Sequence, residues 1–147
     1  MELPYLIAEI GVNFFDTAKV EKISPLEAAK KYIQEAKRSG ANAVKFQAYK
    51  ANTLASKYSP AYWDTSKEKT KSQFELFSKF DSFGQSEFEE LSLYAHSIGV
   101  DFLCTPFDLD SVDYLSPLCN IFKISSSDLS NLNFIRYIAK KQKPIYL

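Results

Sequence analysis

Short runs rich in β-branched and aromatic residues alternate with longer amphipathic stretches along the whole chain. Tyr5–Gly11 reads as a first strand, Ala43–Gln47 as a second and Val100–Phe107 as a third. Ile121–Ser125 reads as a fourth, and Pro144–Leu147 begins a fifth. The intervening stretches carry helical signals. Ser24-Pro25 opens a helix with a serine N-cap and a proline in the first turn. Glu27, three residues after the cap, completes a capping box. Ala28, Ala29, Tyr32, Ile33 and Ala36 then form one apolar face, and Gly40 ends the helix. Gln85–Ile98 repeats the pattern, with Phe88, Leu91, Tyr94 and Ala95 on one face and Gly99 as its stop. A short helix runs from Asp110, its N-cap, to about Leu118, and Leu132–Lys141 forms another.

Strands alternating with helices imply βαβ units and a parallel sheet. A small doubly wound sheet and part of a (β/α)8 barrel both fit this order. A self-sufficient five-stranded sheet covers its last strand with a final helix, and none follows Leu147. A complete barrel takes ~250 residues, and this chain has 147. It therefore reads as an α/β protein forming the first half of a TIM (β/α)8 barrel, about four and a half units, with residues 1–147 as one portion of a barrel domain.

Composition narrows the function. Lys and Arg number 18 and Asp and Glu 18, so no basic excess marks a nucleic-acid module. Apolar residues at 46% argue for a packed domain rather than disorder. No apolar run approaches the ~20 residues that span a bilayer. The start, Met1-Glu2-Leu3-Pro4, lacks the basic and apolar segments of a leader peptide. Cys104 and Cys119 have neither zinc-site spacing nor a disulfide framework, which fits a reducing cytoplasm. With four glycines, the chain has no phosphate-cradling glycine loop.

Buried parallel strands are apolar on both faces. Ala43-Val44-Lys45-Phe46-Gln47 breaks that rule on one face: Val44 and Phe46 pack outward, leaving Lys45 and Gln47 inside. The fourth strand repeats the oddity with Lys123 between Phe122 and Ile124, followed by Ser125-Ser126-Ser127. Glu9 on the first strand and Thr105 on the third share the inner face. All lie towards the carboxyl ends of their strands, where barrel enzymes place their chemistry. Two ammoniums with hydroxyl donors suit a small, highly charged anion such as a phosphorylated carboxylic acid. The alternative is internal pairing of Glu9 with Lys45 or Lys123, which leaves one lysine without a counter-charge.

The stretch Ala48–Gly84 exceeds an ordinary βα connection of ~2–6 residues. Phe74, Phe77 and Phe80 at helical spacing predict a helix within Thr70–Phe80. The insertion serves either as a lid or rim to the site, or as a subunit contact or local packing built on Tyr58, Tyr62 and Trp63. Several residues read as structural. These are Cys104 and Cys119 as core thiols, His96 as a surface or packing histidine, and Lys67, Lys69 and Lys71 as a solvated face. Lys140, Lys141 and Lys143 favour the negative end of the last helix. Asp108, Asp110 and Asp113 resemble a metal cluster, but Asp110 reads as the N-cap and Asp113 as a first-turn residue of the short helix.

Ala8-Glu9-Ile10-Gly11-Val12-Asn13, Val44-Lys45-Phe46-Gln47, Thr105-Pro106-Phe107-Asp108 and Phe122-Lys123-Ile124-Ser125-Ser126, with Gln142-Lys143-Pro144, resemble the sialic-acid synthase family in order and spacing. That family includes N-acetylneuraminate, legionaminate and pseudaminate synthases. The resemblance implies a barrel enzyme that condenses phosphoenolpyruvate with an open-chain N-acetylated amino sugar, typically N-acetylmannosamine. The product is a nine-carbon 2-keto acid, and phosphate leaves by C–O cleavage. Carried over by position, Lys45, Thr105, Lys123 and Ser126 match phosphoenolpyruvate-binding positions and Gln47 a sugar contact. Glu9 matches the acidic residue beside the reacting carbons, and Asp128 an acidic residue after the serine motif. The resemblance also implies a divalent metal (Mn or Mg), a homodimer, and a C-terminal half-barrel and antifreeze-like domain that are absent here. The metal's histidine ligands would lie beyond Leu147, so no metal ligand is expected among these residues and the fragment itself is expected to be inactive. Relatives carry Asn-His-Asn-Gly where this chain has Asn13-Phe14-Phe15-Asp16, so a loop contact to the sugar is missing at Phe14. The competing readings are another barrel aldolase acting on a phosphorylated or keto-acid substrate, and a non-catalytic half-barrel that assembles through open strand edges.

Overall fold

The computed structural model describes residues 4–147, so the leader-peptide reading of Met1, Glu2 and Leu3 lies outside the described residues. Strands β1 (Ile7–Gly11), β2 (Ala43–Ala48) and β3 (Asp101–Pro106) form a parallel sheet in that order. Strands β4 (Phe122–Lys123) and β5 (Ile145–Tyr146) pair in parallel, and β4 lies against β3 without joining its ladder. The helices are α1 (Phe14–Glu21), α2 (Pro25–Arg38), α3 (Ala51–Leu54), α4 (Gln73–Ser78), α5 (Gln85–Ser97), α6 (Leu109–Leu115) and α7 (Leu132–Ala139). α2 touches α5, α5 touches α6 and α6 touches α7, so the outer helices follow the same sequence as the strands they cover. A doubly wound sheet reverses its strand order at a switch point. Strands and helices that both advance in chain order form the wall of a barrel, and the chain is part of one.

Local signals account for the main elements. At the start of α2 the Ser24 hydroxyl accepts from the Glu27 N–H (3.1 Å), and Glu27 accepts from the Ser24 N–H (2.9 Å). Ala28, Ala29 and Ile33 then bury completely, and Gly40 takes φ +84° where the helix ends. Phe88, Leu91 and Ala95 bury one face of α5. The core lies between helices and sheet. Phe46 of β2 stacks on Phe102 of β3 with ring centroids 5.7 Å apart, and Phe14 meets Phe46 edge-on at 5.8 Å. Burying each such ring is worth roughly 1.5–3 kcal/mol.

The structure departs from the sequence reading in several places, among them the short helix α3 and a fourth strand shortened to Phe122–Lys123. α1 was not expected; it forms because Phe14 and Ala18, one turn apart, both drop into the core. Asp108, not Asp110, caps α6: its carboxylate accepts from the Ser111 N–H at 2.7 Å, which leaves Asp110 in the first turn. Lys143 does not serve the last helix, since its ammonium donates to the Ser116 and Cys119 carbonyls beyond α6. Lys141 pairs with Asp113 at 2.6 Å. The helix expected within Thr70–Phe80 is present as α4, started by the Ser72 hydroxyl, which accepts from the Glu75 N–H at 3.1 Å.

The insertion after β2 is tied at its neck. The Lys50 ammonium donates to the carbonyls of Asp81 and Phe83, each at 2.7 Å. Phe77 packs on Tyr49, Phe80 on Phe15, and Thr53 donates to Asp108 at 2.8 Å. The insertion therefore sits on the rim at the carboxyl ends of β2 and β3, held there by local packing. Tyr58 and Tyr62 point away from it into solvent.

Candidate active site

Alternation along β2 decides which side chains meet. Val44 and Phe46 are fully buried on the helix side, and Lys45 and Gln47 occupy the inner face. Register then aligns Glu9 of β1 with Lys45, and Gln47 with Thr105 of β3. The Lys45 ammonium forms an ion pair with Glu9 Oε2 and lies 3.5 Å from Thr105 Oγ1, to which it donates. The Glu9–Lys45 pairing anticipated as one alternative is therefore present, and Thr105 stands beside the same ammonium. The Lys45 side chain is 16% exposed and that of Glu9 48%, so the pair sits on an open inner face.

β1 carries an irregularity at this point. Its register with β2 shifts between Glu9 and Gly11, and Gly11 takes φ +57°. That conformation favours glycine, and the bulge re-aims the end of the strand. Glu9 Oε1 and Gln47 Nε2 lie 3.4 and 3.5 Å from the point where a Cβ on Gly11 would stand.

Lys123 lies one strand beyond Thr105. Its ammonium donates to the adjacent Ile124 carbonyl, and among the described residues no carboxylate oxygen lies within 4.0 Å of it. Ser126 and Asp128 stand on a 3-10 turn (Ser126–Asp128) that follows β4. In that turn Ser125 and Ser127 share a hydroxyl hydrogen bond of 2.9 Å, and Asp128 accepts from Asn131 at 3.5 Å. The structure thus joins Glu9, Lys45 and Thr105 directly and sets Gln47 beside them. Ser126 and Asp128 make no hydrogen bond to that group.

The residues set aside as structural behave so. Cys104 and Cys119 are fully buried, and loss of hydration pushes both thiols up, Cys119 to about 12, which removes nucleophilic character. His96 is exposed on α5. Asp108 is occupied by its cap and by Thr53, and Asp113 by Tyr137 and Lys141. Phe14 points away from the inner face, into a cluster with Phe15, Phe46 and Phe83. The sequence reading missed Gly11; its place at the end of an apolar strand, just after Glu9, was the available signal.

Parallel strands in chain order, with Glu9, Lys45, Gln47 and Thr105 gathered on one inner face, are the arrangement of a (β/α)8-barrel wall. The NeuB family model matches residues 32–147, and the chain belongs to the NeuB family. It is 39% identical to the N,N'-diacetyllegionaminic acid synthase of Campylobacter jejuni, with 100% of this chain and 42% of that protein aligned. Against the N,N'-diacetyllegionaminic acid synthase of Legionella pneumophila it is 32% identical, over 97% of this chain and 38% of that protein. The chain therefore spans about two fifths of the length of these relatives. The crystal structure of the N-acetylneuraminic acid (sialic acid) synthetase of Leptospira borgpetersenii, in complex with citrate, has the same fold. It superposes with a TM-score of 0.73 at 24% identity, covering 98% of this chain and 53% of that one.

Proposed function

We propose that this chain supplies the phosphoenolpyruvate-binding wall of a synthase that joins phosphoenolpyruvate to an N-acetylated amino sugar of the N-acetylmannosamine type. C3 of phosphoenolpyruvate forms a bond to the sugar's aldehyde carbon, water adds at C2, and the C2–O bond to phosphate breaks. The products are a nine-carbon 2-keto acid and inorganic phosphate. Lys45, Lys123, Thr105 and Ser126 hold the phosphate and carboxylate, and Gln47 contacts the sugar. Glu9 orients water or moves a proton beside the reacting carbons, and Asp128 lines the far side.

One observation carries this reading: the part-buried Lys123 ammonium, without a carboxylate partner among the described residues, on the strand beside β3 and between the core residues Phe122 and Ile124, which take the opposite face. A site cation with no counter-charge is poised for an anion, each close contact being worth on the order of 4 kcal/mol before desolvation. The described residues include no group of three His, Cys, Asp or Glu side chains able to hold a metal ion. A divalent Mn or Mg would draw its ligands from other parts of a longer protein, and no step above runs through it. That longer protein would add the remaining half-barrel and an antifreeze-like domain, work as a homodimer and act in the cytoplasm. The buried free thiols of Cys104 and Cys119 suit a reducing compartment.

In the natural full-length protein, phosphate release from phosphoenolpyruvate should require the amino sugar. Lys45→Met and Lys123→Met should each lower kcat/KM about a hundredfold or more. Phosphate release without the sugar, or full activity in both variants, overturns the proposal. The Glu9–Lys45 pair also favours a second reading, in which it merely joins two strands of an assembly module. That reading expects both variants to lose stability and phosphoenolpyruvate to give no thermal protection.

A further inference from the structure

The geometry points to Gly11 as a positioning residue that keeps open a one-atom niche for a hydroxyl or water oxygen between Glu9 and Gln47. This deepens the synthase reading and rests on it for its kinetic test. Lys45 holds one carboxylate oxygen of Glu9, Oε2, which leaves Oε1 on the Gly11 side. Gln47 Nε2 comes to the same space from β2. Neither Oε1 nor Nε2 has a hydrogen-bond partner among the described residues. The point a Gly11 Cβ would occupy is 3.4 Å from the first and 3.5 Å from the second.

An oxygen bearing a proton satisfies both groups at once, donating to the carboxylate and accepting from the amide. A ligand carbonyl has no proton for Glu9, and an ammonium has no lone pair for Gln47. With the Gln47 amide nitrogen turned to this space the niche suits a hydroxyl, either from a polyhydroxylated substrate or from water. A methyl on Gly11 would stand in van der Waals contact with both polar atoms and crowd an oxygen drawn to them. The bulge and the positive φ of Gly11 create the space, because they turn the backbone in under the two side chains.

Substituting Gly11 also strains the backbone, and Gly40→Ala separates the two effects. Gly40 has φ +84° and nothing within 4 Å of its Cβ position, so Gly40→Ala brings strain without filling a niche. In the natural full-length protein, Gly11→Ala and Gly40→Ala should lower Tm by similar amounts, a few degrees. Gly11→Ala alone should also change turnover, by about tenfold or more. A raised KM for the sugar at constant kcat assigns the oxygen to the substrate. A lowered kcat at constant KM assigns it to water. Gly11→Ala matching Gly40→Ala in both constants overturns the inference. A crystal structure tests the niche independently of activity: the parent protein should show an oxygen within about 3.2 Å of both atoms, lost in Gly11→Ala. An empty niche in the parent protein overturns the inference too. An enzyme inactive with phosphoenolpyruvate but holding that oxygen would sink only the synthase reading.

Discussion

Glu9 and Lys45 stand opposite each other across the β1–β2 ladder, and their side chains close an ion pair on the inner face. The pair fixes one oxygen of Glu9, orients the ammonium towards Thr105, and leaves the second oxygen of Glu9 for the space above Gly11. A single contact thus sets the direction of three polar groups. It lies midway along both strands, with Gln47 and Thr105 following towards the carboxyl ends where a barrel places its chemistry.

With Glu9 half exposed, the pair should add little to stability. Glu9→Gln should cost less than about 1 kcal/mol in urea unfolding, the range of solvated ion pairs. On the synthase proposal the same change should reduce kcat at least tenfold, by removing the carboxylate assigned to orient water or move a proton. A large stability loss with intact turnover would assign the pair to the scaffold alone.

Phe14 stands where the resemblance to the synthase family leads one to expect a histidine, yet its ring is 2% exposed and packs against Phe46 and Phe83. Restoring the histidine should therefore bury an imidazole without a partner. Phe14→His should destabilise the protein by about 1–3 kcal/mol and leave the sugar KM unimproved. Thermal unfolding and sugar titration check the two halves. A stable variant that binds sugar more tightly would show that this side chain reaches the mouth.

The insertion carries an acid-sensitive tie. The Lys79 ammonium (2.6 Å) and the Thr70 N–H hold the Glu68 carboxyl at about 2, below its ordinary 4.5. A depressed carboxyl favours the folded state only while ionised. Its contribution is thus complete above pH 4.5 and disappears as pH falls towards 2. Trp63, the single tryptophan, donates to the Glu68 carbonyl at 3.2 Å and reports on this turn. Its fluorescence should titrate in that acid window, and Glu68→Gln should abolish the transition. An unchanged titration in the variant would place the tie elsewhere.

Strand and helix order, the Ser24–Glu27 capping box and the inner-face placement of Lys45, Gln47 and Thr105 were all legible in the sequence. These follow from local rules: period-two alternation, cap chemistry and apolar periodicity act over a few residues. Helix α1 was not legible, because Phe14 and Ala18 become a buried face only once Phe46 and Phe83 arrive from distant segments. Nor could spacing choose Asp108 over Asp110 as a cap, since both offer a carboxylate and only the turn out of β3 selects between them.

The amino-acid sequence by itself determined the alternating βα units and the set of polar side chains turned inward, because backbone geometry assigns faces residue by residue. Tertiary structure alone decided that Glu9 meets Lys45 and not Lys123, and that Gly11 opens a space between Glu9 and Gln47. Pairings across strands depend on register and on a one-residue bulge, and a slip of one position would send every one of these side chains to the opposite face.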